Sequence, residues 1–314
     1  PKKIGDALKE LGFNSYGYGT PPALKNDMPY VDGFNHIVPI SSYRRLKSFK
    51  YIDVFDPQEQ KRMDNEMKKF CNRNKNNPNL IGYFWTDLGV WPLENSKNTN
   101  WVEFMRALPS DAPGQLKYQE FLSTWNGGSG KERDEAFLRL IAREYFRILG
   151  TANRKYDPNH LIFGDRFAFP TVDPIVIEEL IPYVDAIAIQ PQFRATFPKK
   201  TYDDIHKMSG GKPIIICDFA VRFEEEGKKI RGWKPEESPE IAGQRYAEYI
   251  KQALETNYII GAFWCNPINS SPDFGNNGIK QGLFDTGLQE RPGLNAEIKK
   301  LNEYIQGYTP KSNR

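Results

Sequence analysis

Seven short apolar runs recur along the chain, each passes into polar or aromatic residues at its C-terminal end, and helical stretches separate nearly all of them. They are Phe13–Tyr18, Phe34–Ile40, Leu80–Phe84, Leu161–Phe167, Ala186–Phe193, Lys212–Phe219 and Ile259–Asn266. Strands joined by crossover helices make a parallel sheet, so this alternation narrows the fold to the α/β class. Leu80–Phe84 shows the pattern best. It is apolar or small throughout, without the period of two that marks a strand wet on one face, so both faces are expected to be covered. Between the runs, Ile4, Leu8 and Leu11 fall at helical spacing, and Asp56 followed by Pro57 opens a helix to about Asn74 as cap and first helical residue. Further helices are expected over about 132–156, 174–183, 241–256 and 294–305.

No glycine-rich phosphate loop follows any of these strands, which counts against a doubly wound sheet. The expected architecture is a (β/α)8 TIM barrel. It lacks its first strand or completes it irregularly, because nothing resembling a strand precedes the opening helix. A single barrel domain over 1–314 is expected, with a long loop insertion at about 92–134 that is rich in Asn, Ser, Gly and Pro. Loops of that length inside a domain are more often functional walls than accidents.

Composition sets limits on partners. With 314 residues, 39% of them hydrophobic, the chain can bury a large core. Its 43 basic and 40 acidic residues nearly balance and no block of like charge stands out, so neither nucleic acid nor a membrane surface is favoured. No apolar run of about 18 residues and no signal peptide is visible, and the chain as given reads as soluble. Cys71, Cys217 and Cys265 are far apart and belong to no metal-ligand spacing, so buried free thiols are expected and neither a metal nor a cofactor.

Three aspartates, Asp87, Asp165 and Asp218, stand at the ends of three runs. Barrels carry their chemistry at the C-terminal ends of the strands, where these three would converge. Taken singly, each is equally well a cap for the following helix. Together, beside Trp85, Trp91, Gln190, Gln192, Trp264 and Asn266, they describe a polar site with aromatic walls. Glycosidic bond hydrolysis requires such a set: one carboxyl to protonate the leaving oxygen, one to act as base or nucleophile, and flat apolar surfaces for the sugar faces. The three tryptophans have core packing as their equal alternative. His36 fits a contact to a sugar hydroxyl or a place in the core. Arg166 fits an ion pair with Asp165 better than a contact to a substrate anion. The run Glu224 to Glu226 reads as a solvated face, with a smaller chance that one of the three reaches the cleft. No strand ends in a lysine, which argues against an aldolase-like barrel.

Asp53–Pro57, Leu80–Phe84, Leu161–Phe167, Ile259–Trp264 and Gln281–Asp285, in that order, together with Leu11–Asn14, resemble the catalytic barrel of the β-agarases of glycoside hydrolase family 50. The resemblance implies a retaining enzyme with a glutamate acid/base after the fourth strand and a glutamate nucleophile after the seventh. It also implies that Leu88 stands where the acid/base would be and Asp218 where the nucleophile would be. The expectation is a hydrolase of galactose-containing polysaccharide or oligosaccharide such as agar, porphyran or carrageenan, in a periplasmic or secreted setting. A barrel that binds carbohydrate without cleaving it is the alternative. An aspartate draws its carboxylate back by about 1.5 Å and opens a retaining spacing of about 5.5 Å toward one that admits water, so inversion is expected. In that scheme a dry, tryptophan-walled Asp87 carries a raised pKa and donates the proton, while Asp218 activates water.

Overall fold

The computed structural model describes residues 1–33, 37–41, 49–93, 99–169, 172–191, 195–224, 235–269 and 281–309. Its chain order is α1 (Lys2–Glu10), β1 (Tyr30–Gly33), α2 (Pro57–Asn74), β2 (Leu80–Phe84), α3 (Trp101–Arg106), α4 (Pro113–Thr124), α5 (Lys131–Tyr156), β3 (Leu161–Gly164), β4 (Arg166–Ala168), α6 (Pro174–Leu180), β5 (Ile187–Gln190), α7 (Lys199–Met208), β6 (Ile214–Phe219), α8 (Pro239–Leu254), β7 (Ile259–Trp264) and α9 (Pro292–Gly307). These strands form two ladders, one in the order β1, β2, β3 and one in the order β4, β5, β6, β7. The fold is therefore mixed α/β, and the described residues show two open ladders where a closed eight-stranded barrel was expected.

The chain groups into two compact units. One comprises Pro1–Tyr30, Ile189–His206 and Pro213–Arg314; the other comprises Val31–Ala188 and Lys207–Lys212. In the latter, β2 runs parallel to β3 and is buried along nearly its whole length, as its unbroken apolar sequence requires. α5 lies against α2 and α6, presenting Phe137, Leu138, Ile141, Ala142, Tyr145, Phe146 and Leu149 as one buried stripe at helical spacing. Asp56 caps α2 through the Gln58 N–H at 2.8 Å, with Pro57 at the first helical position as the sequence suggests. In the other unit β6 runs parallel to β7, and α8 packs against α9 and β7.

Four elements differ from the sequence reading. Phe13–Tyr18 contributes only an isolated parallel bridge, Tyr16 to Tyr30, in place of a strand. Of the strand placed at Phe34–Ile40, residues 34–36 lie outside the described residues and residues 37–40 are not a strand; β1, Tyr30–Gly33, precedes that stretch. Leu161–Phe167 is two strands, because Gly164 turns left-handed at φ 68° and breaks the ladder. The insertion holds two helices, α3 and α4, docked by burial of Trp101, Val102, Met105 and Tyr118. The Asp53 carboxylate, itself 9% exposed, accepts the Gly114 N–H at 2.7 Å and so ties down an orphan donor of the first turn of α4. Among the described residues no helix is long and apolar enough to cross a membrane.

Candidate functional site

The ends of β2 and β3 are zipped together beyond the strands. The Trp85 N–H donates to Gly164 O at 2.8 Å and the Arg166 N–H to Thr86 O at 2.9 Å, while a register shift between Tyr83 and Phe84 sets Phe84 opposite Gly164. A side chain at Gly164 would place its Cβ 2.7 Å from Val184 and 2.9 Å from Leu180. Only glycine fits this left-handed, crowded turn. The turn sends the next two side chains to different partners. Arg166 reaches Asp87, with Nη2 to Oδ1 at 2.5 Å, and its guanidinium lies 5.6 Å from the Phe84 ring centroid. The ion pair expected between the chain neighbours Asp165 and Arg166 is thus made by Arg166 with Asp87.

Asp165 points the other way and is fully buried. Trp91 Nε1 donates to its Oδ2 at 3.0 Å and the Tyr145 hydroxyl to its Oδ1 at 3.2 Å. Tyr145 also meets Thr86 Oγ1 at 3.0 Å. Burial pushes the Asp165 carboxyl up to about 7, against the pull of these donors toward the charged form, and burial likewise holds the Tyr145 phenol well above its ordinary value. Gly89 closes over this network: a Cβ there would lie 2.9 Å from Trp91 Nε1 and 3.2 Å from Asp165 Oδ2.

The aromatic residues of this unit are walls within the protein. Trp85 is 1% exposed and its Nε1 donates to Asn153 Oδ1 at 2.8 Å; Trp91 is 1% exposed, stacks on Trp101 at 5.3 Å and meets Phe146 at 5.1 Å with the rings tilted by 35°. Expected as sugar platforms, both have their ring faces covered by α3 and α5, which offer more apolar contact than solvent-facing positions do. Asp165, expected as a reserve catalyst, is sealed by the same aromatic shell. Asp87, with 13% of its side chain exposed, is the member of the set that reaches the surface.

The second group lies on β6 and β7. Phe219 stands opposite Trp264 and accepts the Cys265 N–H at 3.1 Å, so that Asp218 and Trp264 end adjacent strands. Asp218 and Trp264 are partly exposed and Asn266 is exposed. Trp264 rests on Tyr246 at 4.5 Å with the rings tilted by 50°. Gln281 Nε2 donates to Cys265 O at 2.8 Å, and its Oε1 accepts from Arg222 Nε at 3.5 Å. Leu88, Asp218 and Asn266, all at or just past strand ends, hold left-handed backbones with φ of 49°, 51° and 55°. Each such conformation costs a non-glycine residue on the order of 1–3 kcal/mol, a strain that concentrates at functional sites.

Gln190, at the end of β5, is 2% exposed and not presented to solvent. Glu224 is exposed, and its N–H donates to Glu236 O at 2.8 Å. His36, Gln192, Glu225 and Glu226 lie outside the described residues. Tyr145, Asn153, Thr86 and Gln281 escaped the sequence reading of the site. Tyr145 and Asn153 sit in the regular apolar face of α5, where nothing in the spacing separates a polar anchor from its neighbours. All three cysteines are buried free thiols, and no cluster of three or more His, Cys, Asp or Glu side chains able to hold a metal occurs among the described residues.

The fold is one that solved glycosidases carry. The agarase AgWH50C matches with a TM-score of 0.80 at 20% identity over 98% of this chain and 48% of its own; an exo-β-agarase matches with 0.80 at 20% over 98% and 47%. A β-glucuronidase from Bifidobacterium dentium, complexed with coumarin-3-O-glucuronide, matches with 0.63 at 14% over 100% and 44%. The chain spans about half the length of these structures. No family model and no curated protein matches its sequence.

Proposed function

We propose that this chain is a glycoside hydrolase acting on galactose-containing oligosaccharide or polysaccharide of the agar, porphyran or carrageenan kind. The observation that carries this reading is the agarase-type fold along 98% of the chain. The proposed catalytic carboxylates are Asp218, partly exposed on a strained backbone, and Asp87, with Asp165 in reserve. Trp264 and Asn266 are the proposed sugar contacts, and His36, Gln190 and Gln192 complete the candidate set. In this reading hydrolysis inverts the anomeric centre, since an aspartate replaces the longer nucleophile that the family resemblance implies at position 218.

The test is incubation of the protein with defined agarose, porphyran and carrageenan oligosaccharides, with detection of new reducing ends and proton NMR of the first-formed product. Asp218→Asn and Asp87→Asn are each expected to lower the rate by about 100-fold or more. Retained configuration defeats inversion, and unchanged rates in both variants defeat the assignment.

Leu88 supports a second reading. It is 7% exposed and cannot carry a proton, at the position where the resemblance implies the acid/base glutamate. A carbohydrate-binding barrel without hydrolytic activity would bind the same oligosaccharides and release no reducing ends.

A further inference from the structure

We infer that Arg166 is a positioning residue whose buried guanidinium keeps Asp87 ionised, so that Asp87 serves as hydrogen-bond acceptor or base and never as proton donor. The guanidinium side chain is 1% exposed and lies 2.5 Å from the Asp87 carboxylate. Arginine does not deprotonate in proteins, so a cation sealed at this depth demands an anion beside it. Protonating Asp87 would forfeit the attraction of this close cation at a depth where solvent compensates for it weakly.

The surrounding groups strengthen the assignment. The Asp165 carboxyl, adjacent in sequence to Arg166, is turned into the Trp91 and Tyr145 donors and is raised by burial to about 7. Tyr145 is held neutral by burial. The Phe84 ring, 5.6 Å from the guanidinium carbon, offers the cation a π face but no charge. The backbone fixes this geometry: the Arg166 N–H to Thr86 O bond at 2.9 Å registers the residue before Asp87 against Arg166 itself. The arrangement reverses the donor role expected for Asp87, because a guanidinium stands where a dry apolar wall was anticipated. In the hydrolase reading the proton for the leaving oxygen then comes from a group other than Asp87.

The ionisation of Asp87 stands apart from the hydrolase reading; only its consequence for catalysis rests on that reading. The test needs no sugar. The protein is prepared with 13Cγ-labelled aspartate, Asp87 is assigned by the resonance lost in Asp87→Asn, and its chemical shift is followed with pH. Asp87 is expected to titrate with a midpoint below the ordinary aspartate value of about 4. In Arg166→Gln that midpoint is expected to rise by about one to three pH units, and in Arg166→Lys to stay low. An Asp87 midpoint at or above the ordinary value in the parent protein overturns the inference, as does an unchanged midpoint in folded Arg166→Gln. If Arg166→Gln does not fold, the parent titration decides alone. Absence of new reducing ends from every oligosaccharide would defeat the hydrolase reading and leave this titration untouched. If the protein is active, Arg166→Gln is expected to move the acid limb of kcat/KM upward by the same amount as the NMR midpoint.

Discussion

Trp91 holds Asp165 through a hydrogen bond from Nε1 to Oδ2 at 3.0 Å, while its ring stacks on Trp101 of the inserted helix α3 at 5.3 Å. One side chain thus ties the insertion to the buried carboxyl behind Asp87. Trp91→Phe removes the donor and keeps an aromatic ring in the stack. It is expected to destabilise the protein by about 1–3 kcal/mol, the cost of leaving a buried acceptor unpaired, measured by equilibrium urea denaturation. The same change made in an Asp165→Asn background should cost less, since the two residues share one interaction.

Asp165 gives the protein a pH-dependent stability of definite sign. Its carboxyl is raised from 3.8 to about 7 by burial, so between those values the folded state holds a proton that the unfolded state has released. The contribution is fully present below pH 3.8 and is lost as pH rises through about 7. Thermal melting of the parent and Asp165→Asn should therefore show the parent's relative advantage largest near pH 4 and smallest near pH 8. A difference in Tm that is flat with pH, or that grows toward pH 8, contradicts the buried protonated state.

Asp157 behaves in the opposite sense. It is fully buried, accepting from the Tyr83 hydroxyl at 2.5 Å and facing His160 Nδ1 at 2.7 Å. Burial pushes its carboxyl up, but Tyr83, His160 and the Asn159 N–H outweigh burial and hold it below the ordinary value of 3.8. Its contribution is present above 3.8 and is lost as pH falls through the lowered folded value. Asp157→Ala is expected to cost about 3 kcal/mol at pH 7, by orphaning Tyr83 and the donors of the loop before β3, and the gap to the parent should narrow on acidification below about pH 4.

Trp264 is partly exposed, in contrast to Trp85 and Trp91. Trp264→Ala is expected to weaken agaro-oligosaccharide binding by about tenfold, near the 0.5–1.5 kcal/mol attributed to aromatic stacking, while leaving a cooperative melt. Titration calorimetry with a fixed oligosaccharide reads the affinity. Unchanged affinity in a folded variant would assign the ring to packing against Tyr246.

Local periodicity determined much of the chain by itself. The unbroken apolar run Leu80–Phe84 had to be a strand covered on both faces, and Asp56 with Pro57 had to start a helix, because both depend on interactions within a few residues. The runs that became β5, β6 and β7 were legible for the same reason. α3 and α4 were hidden in a stretch rich in Pro, Asn and Gly, since helices of that length draw their stability from docking, here through Trp101 and Met105, more than from propensity. The three aspartates were visible as strand-end residues, but their environments were set by the tertiary structure. The left-handed turn at Gly164 parts Asp165 from Arg166 and gives Arg166 to Asp87, a partner remote in sequence. Trp85 and Trp91 follow a strand end in either reading, and it is α5, with Asn153, Tyr145 and Phe146, together with Trp101 of α3, that buries them. Burial of a side chain depends on which distant surface arrives over it, and that information lies in the packing of helices against strands, beyond the spacing of residues along the chain.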